Sequence, residues 1–113
     1  MHELSLMEAV REQALEQAQR HGARCIEVIH LRIGRLAGVE PEALQWAFAL
    51  VMAGSLAATA RLQIETVPAR CHCSVCQSSF EAEAGTCRCP RCGTASNRLL
   101  QGRELELTSL EIH

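Results

Sequence analysis

The sequence predicts an α+β fold, a three-stranded sheet with two helices on one face, carrying a small four-cysteine domain of the zinc-ribbon type. Three observations predict it. Two segments repeat apolar residues at helical spacing, and three short segments are apolar or alternate as strands do. Two CxxC pairs stand between the second strand and the third. At 113 residues the chain has the size of one compact domain with a small appendage. With 48% apolar residues it can build a modest core without disulfide staples.

The elements follow in order. Ser5 and Glu8 have the spacing of a capping box, in which each side chain satisfies a backbone donor of the first turn. Met7, Val10, Ala14 and Ala18 then recur at helical intervals and Gly22 supplies a stop, so a first helix is expected over about 6–21. Residues 26–33 are rich in β-branched side chains, with Ile29, Leu31 and Ile33 on one strand face, and 34–38 is a turn. Pro41 suits the first position of a helix, which does not need its missing N–H. Leu44, Ala47, Phe48 and Val51 give that helix an apolar stripe, and Gly54 ends it. Leu62, Ile64 and Thr66 alternate with Gln63 and Glu65 as a second strand, and 104–112 reads as a third. The expected division is an α+β domain of residues 1–69 and 99–113, with a metal-binding domain inserted at 70–98.

Composition removes whole classes of function. Every cation is Arg and every acid is Glu, so no mechanism can use a lysine nucleophile or an aspartate base. The net charge of −2 gives no general attraction to nucleic acid or anionic membrane. The longest apolar stretch, 47–53, is too short to span a bilayer. No base stands paired with a nucleophile and no phosphate-binding loop appears, so an enzyme is not expected. The start Met1-His2-Glu3 has no signal-peptide character. Six of the seven cysteines crowd between positions 71 and 92, which suggests metal binding in a reducing, cytoplasmic setting over a secreted disulfide framework.

Cys73, Cys76, Cys89 and Cys92 form two CxxC pairs with twelve residues between them. Two residues between cysteines let both thiolates face one ion, and two such turns complete a tetrahedron of sulfur. Gly93, following the second pair, is free to take the positive φ that aims backbone amides at sulfur. Four sulfurs leave no position for water, so the site is expected to be structural, with Zn2+ as the ion and iron as its competitor. Cys71 and Cys87 repeat the same sixteen-residue offset, giving C-x-C-x-x-C twice. They are expected to be small buried thiols, with a redox pair or a spare ligand set as the alternative. Cys25 is expected in the core. Among the histidines, His21 should meet a helix dipole, His30 should be packed or paired, His72 solvent-exposed and His113 mobile.

The N-terminus offers a second metal site. Histidine is large, so Met1 should be retained. The Met1 amine, the His2 backbone nitrogen and the His2 imidazole then close two chelate rings, and Glu3 supplies a fourth donor. Planar nitrogen donors suit Ni2+ or Cu2+. Affinity should fall with pH, because protons compete for amine and imidazole groups of reference pKa about 7.8 and about 6.5. An uninvolved terminal histidine is the plain alternative.

Met1-His2-Glu3-Leu4-Ser5, Ile33-Gly34-Arg35-Leu36, Val39-Glu40-Pro41-Glu42-Ala43-Leu44, Leu62-Gln63-Ile64-Glu65, the CxxC and CPxCG pairs and Glu104-Leu105-Glu106-Leu107 together resemble the HypA/HybF nickel-insertion proteins. The resemblance spans nearly the whole chain. It implies a nickel metallochaperone for [NiFe]-hydrogenase maturation, acting with the GTPase HypB and the hydrogenase large subunit. It maps nickel to His2, the Met1 amine and Glu3, and zinc to Cys73, Cys76, Cys89 and Cys92. Cys71 and Cys87 lie outside the family pattern. A homodimer is left open, and no nucleic-acid or membrane partner is expected. The rivals are a thiol-redox protein and a nucleic-acid-binding zinc ribbon using Arg70, Arg88, Arg91, Arg98 and Arg103. For the ribbon, nearby glutamates offset that charge and stacking aromatics are missing.

Overall fold

The computed structural model describes residues 3–82 and 86–113. Helix α1 runs Glu3–Arg20 and buries Met7, Val10, Ala14 and Ala18, the stripe expected from sequence. Because it already includes Glu3, Ser5 stands inside the first turn and is not its N-cap. An acid at the start and Arg20 at the end both suit the helix dipole. The C-terminus closes as a Schellman motif: Ala23 N–H donates to Ala18 O at 2.9 Å and Gly22 N–H to Gln19 O at 3.1 Å, with Gly22 at φ 66.

Strand β1 covers Ile26–Gly34 and buries Ile26, Val28, Ile29, Leu31 and Ile33. Helix α2 covers Pro41–Met52, with Pro41 in its first turn as expected. Its buried residues are Leu44, Ala47, Phe48 and Met52, and Val51 is only half-buried. Met52, four residues beyond Phe48, is thus the residue that continues the stripe. The two helices pack against each other. Strands β2 (Arg61–Val67) and β6 (Leu105–Ile112) flank β1 in the order β2-β1-β6. Gly34 N–H donates to Glu104 O at 2.8 Å and His113 N–H to Cys25 O at 3.0 Å, so β1 and β6 run in opposite directions. The expected α+β architecture of two helices and a three-stranded sheet is present.

A second three-stranded sheet, not anticipated from sequence, occupies the cysteine region. Strands β3 (Arg70–Cys73), β4 (Ser78–Glu81) and β5 (Leu99–Gln101) are ordered β4-β3-β5. β3 pairs antiparallel with both neighbours, in register Cys71↔Phe80 and Cys73↔Ser78 on one side, with a shift at Arg70/Cys71 on the other. Strands of three or four residues are too short to display a readable alternation.

The chain divides into two compact units, one of Met1–Leu31, Gly38–Glu65 and Glu106–His113, the other of Arg32–Ala37 and Thr66–Leu105. The second has a small core of Ala69, Cys71, Cys73, Phe80, Ala82 and Cys89, with Leu36, Cys76, Cys87 and Leu99 packed on it. Its backbones approach closely where only small residues fit. A Cβ on Gly34 would lie 2.1 Å from the Gly102 carbonyl, and one on Gly102 would lie 2.8 Å from Ala69 Cα. Among the described residues no helix is long and apolar enough to cross a membrane.

Gly34→Ala should therefore destabilise the fold by about 3 kcal/mol in urea titrations, since backbone cannot swing aside as a side chain can. Gly22→Ala meets nothing within 4 Å and should cost only the left-handed penalty, about 1 kcal/mol. Equal losses at the two positions would contradict the close-approach argument.

Candidate metal centre

The first CxxC sits on the turn of a hairpin. Cys73 ends β3, its register partner Ser78 begins β4, and Ser74–Gln77 connects them. Reversing the chain this tightly requires a left-handed residue, and Gln77 supplies it at φ 55. Its side-chain amide donates to Ser74 O at 2.7 Å, which offsets part of the strain. Cys76 N–H donates to Cys73 Sγ at 3.3 Å.

The second CxxC repeats this design. Arg88 and Ala95 form an isolated antiparallel bridge, Cys89 N–H donates to Thr94 O at 3.0 Å, and Gly93 N–H returns to Cys89 O at 2.8 Å. Gly93, directly after the pair, has φ 75, the positive value expected for it. Arg88 Nη1 donates to Gly93 O at 2.8 Å. Ser96 fastens the hairpin to β3: its hydroxyl donates to His72 O, and His72 N–H donates to Arg98 O at 2.9 Å.

The four sulfurs converge. Cys73 and Cys92 Sγ are 3.6 Å apart, Cys76 and Cys89 Sγ are 3.9 Å apart, and all four lie within 4.8 Å of one another. A tetrahedron with metal–sulfur bonds of about 2.3 Å has edges of about 3.8 Å, so the donor set fits one four-coordinate ion. Cys73 and Cys89 are buried, Cys76 is half-buried and Cys92 exposed.

Without a cation, four thiolates at this spacing repel, and the protons distribute unevenly. Cys92 is lowered to about 6, first by the Thr94 hydroxyl (Oγ1 3.2 Å from Sγ) and next by the Thr94 backbone N–H. Cys89 is lowered by the backbone N–H groups of Cys92 and Arg91. Cys76 is raised to about 12, chiefly because its thiol proton is shared with Cys92 sulfur. Hydrogen bonding thus favours the thiolate form in the second pair and the thiol form at Cys76.

Cys71 and Cys87 correct an expectation. They are joined as a disulfide, with Cα atoms 5.9 Å apart. Buried free thiols were expected because a reducing compartment disfavours disulfides, with a redox pair as the alternative; the two knuckle approaches bring the residues face to face, and the alternative is the one present. Cys25 is half-buried, outside the core. His30 Nε2 is 2.7 Å from Glu111 Oε2, and His21 Nδ1 is 2.9 Å from Gln17 O at the end of α1. His72 is half-buried where exposure was expected. The His113 backbone is held by Cys25 and by Arg24, whose N–H donates to it at 2.7 Å. His2 and the Met1 amine lie outside the described residues. Glu3 opens α1, and its carboxylate accepts a long hydrogen bond from Glu40 N–H at 3.4 Å. Thr94 and Gln77, which shape the centre, carried no sequence signal beyond their place beside the cysteines.

Two matched knuckles holding four sulfurs at tetrahedral spacing, in a chain that also forms a two-helix, three-stranded unit, define a small α+β protein with a four-cysteine metal centre. Residues 1–112 match the family model described as "Hydrogenase/urease nickel incorporation, metallochaperone, hypA". The chain belongs to the HypA family, as the sequence motifs suggested. It is 42% identical over 112 residues to the hydrogenase maturation factor HypA of a Picosynechococcus strain and 45% identical to that of a Synechococcus strain, covering 99% of each chain in both cases. It is also similar to the solution structure of the Ni metallochaperone HypA from Helicobacter pylori. There the TM-score is 0.68 at 26% identity, covering 99% of this chain and 97% of the other. A second HypA solution structure gives a TM-score of 0.71 at 26% identity, covering 100% and 97%.

In metal-free protein the Cys92 thiolate absorbance should appear near pH 6, and Thr94→Val should move that step upward. A depressed thiol favours the folded form above the ordinary thiol range, and that contribution is lost as pH falls through about 6. An unmoved step in Thr94→Val would remove the hydroxyl from the account. Gly93→Ala should weaken metal retention against a chelator by roughly 5-fold, the equivalent of a left-handed penalty of about 1 kcal/mol, while Gln77→Gly should not.

Proposed function

We propose that this chain is a nickel metallochaperone, a carrier and not a catalyst, which delivers Ni2+ to the [NiFe]-hydrogenase large-subunit precursor and keeps one structural Zn2+ in its four-cysteine centre. The observation that carries the reading is the family match over residues 1–112, joined to a donor set of four sulfurs at tetrahedral spacing. Zinc has no geometric preference to oppose a tetrahedron and no redox chemistry to disturb thiolates. With all four positions sulfur, no site remains for water or substrate. The cargo must be held elsewhere.

Residues 1–69 with 99–113 are read as the nickel-binding part and 70–98 as the zinc domain, around which the second compact unit extends to Arg32–Ala37 and Thr66–Leu105. The proposed nickel donors are the Met1 amine and the backbone nitrogen and imidazole of His2. The Glu3 carboxylate already accepts a hydrogen bond from Glu40 N–H, which weights its contribution toward the backbone nitrogen. Three firm donors and one weak one make a site that yields its ion by ligand exchange, the incoming ligand displacing the weak donor first. HypB and the hydrogenase large subunit are the proposed partners, in the cytoplasm. The nucleic-acid rival loses support, because Arg88 is bonded to Gly93 O and Arg70 Nη2 to Ser79 Oγ at 2.9 Å.

Calorimetric nickel titration of the untagged chain beside His2→Ala tests the reading. Losing a direct donor should exceed the roughly 10–100-fold that loss of a ligand's supporting partner costs, with zinc content and circular dichroism unchanged. An N-terminal tag should weaken nickel as well. Identical nickel isotherms in all three proteins would overturn the nickel assignment and leave the zinc centre standing.

A further inference from the structure

The functional reading uses four of the seven cysteines. Cys71 and Cys87 stand two residues before the first and second knuckles, and each occupies the corresponding position in its repeat. Cys71 is fully buried on β3, on the same face as Cys73, and belongs to the core cluster that contains Cys73 and Cys89. Cys87 is half-buried, and its carbonyl accepts Ser96 N–H at 2.6 Å. The disulfide therefore joins the approach to one knuckle to the approach to the other. A metal ion held by the four sulfurs would join the same two knuckles, beginning two residues further on.

Two cross-links between the same pair of chain segments reinforce each other, because closing one holds the groups of the other in place. The geometry points to Cys71–Cys87 as a redox-modification site that sets how firmly the four-sulfur centre keeps its ion. This rests on the reading above that zinc occupies the centre. The oxidised pair encloses a loop with a sequence separation of 16 that contains Cys73 and Cys76. Loop closure of that size is worth a factor of about 100 in assembling the donors. The coupling is reciprocal, so a bound ion protects the disulfide by the same factor.

The substrate class is a small monothiol of the glutathione type. Its thiolate attacks Sγ of the more accessible Cys87, the S–S bond breaks, and Cys71 leaves as a thiolate that takes up a proton. A second thiolate attacks the mixed disulfide, releasing Cys87, which is protonated in turn, and a small-molecule disulfide. The protein pair gains two electrons and two protons, the two thiols lose them, and the zinc ion stays divalent throughout.

The test uses the full chain purified in air. Alkylation of denatured, metal-stripped protein should count five thiols (Cys25, Cys73, Cys76, Cys89 and Cys92) and not seven. Zinc retention against a chromophoric chelator is then compared for three samples: protein as isolated, protein reduced with a non-chelating phosphine, and the Cys71→Ser/Cys87→Ser double variant. The reduced protein and the variant should yield zinc at about 100-fold lower chelator, and phosphine should not affect the variant. In glutathione redox buffers, stripping zinc should ease reduction of the pair by the same factor. Seven thiols, or equal retention in oxidised and reduced wild type, would overturn the inference while zinc stands. Absence of zinc from every sample would overturn the zinc reading and the coupling with it. Should the variant fold poorly, the wild-type comparison alone decides.

Discussion

Mutual repulsion among four sulfurs is the constraint around which the second unit is organised. Thiolates within 4.8 Å of one another cannot all ionise unless something positive sits among them. Part of the answer is local. Backbone N–H groups of Arg91 and Cys92 point at Cys89, the Thr94 hydroxyl and amide point at Cys92, and the Cys76 amide points at Cys73. These donors are fixed by chain reversal at Gln77 and Gly93, so the left-handed residues are there for electrostatics as much as for topology. The remainder falls to a cation.

Cysteine side chains in this unit also pack. Cys71, Cys73 and Cys89 are half of the six-residue cluster at the heart of this unit, where Phe80 is the largest side chain. A core this small buries too little apolar area to hold its hairpins alone. The close stacking of Gly34, Gly102 and Ala69 brings backbones together so that short strands still pair, and each added methyl would push them apart. Metal, disulfide and glycine contacts thus replace what larger domains obtain from side-chain burial.

What was legible in the sequence follows from this contrast. In the first unit, structure is set by periodic burial, and periodicity is visible: the α1 stripe, the apolar face of β1 and Pro41 at the start of α2 could all be read directly. The four-cysteine cluster was legible because metal geometry dictates the CxxC spacing. The second sheet was not, since strands of three and four residues carry no repeat and are held by pairing to remote segments. Gln77 was hidden for another reason: glycine advertises a positive φ and glutamine does not. Ser5 misled because the capping-box spacing occurs inside α1 as well as at helix starts. Cys71 and Cys87 were expected as free buried thiols because a reducing compartment disfavours disulfides, although alternation along the strand already placed both beside the other sulfurs. A sixteen-residue repeat that brings four sulfurs together must bring the preceding pair together too.

Donor chemistry, finally, bears on how a closed sulfur site and the proposed terminal nitrogen site would hold their ions in opposite ways. Soft, anionic sulfur in a closed tetrahedron has no vacant edge for an incoming ligand, so exchange there requires opening a knuckle and breaking the pairing that surrounds it. In the proposed terminal site the donors are an amine, an amide nitrogen and an imidazole, two of which need only regain a proton to let go. A carrier needs the second kind of site for its cargo and the first for its shape. Keeping them chemically distinct also limits exchange between them: nickel prefers planar nitrogen, and zinc accepts the tetrahedron that the hairpins impose.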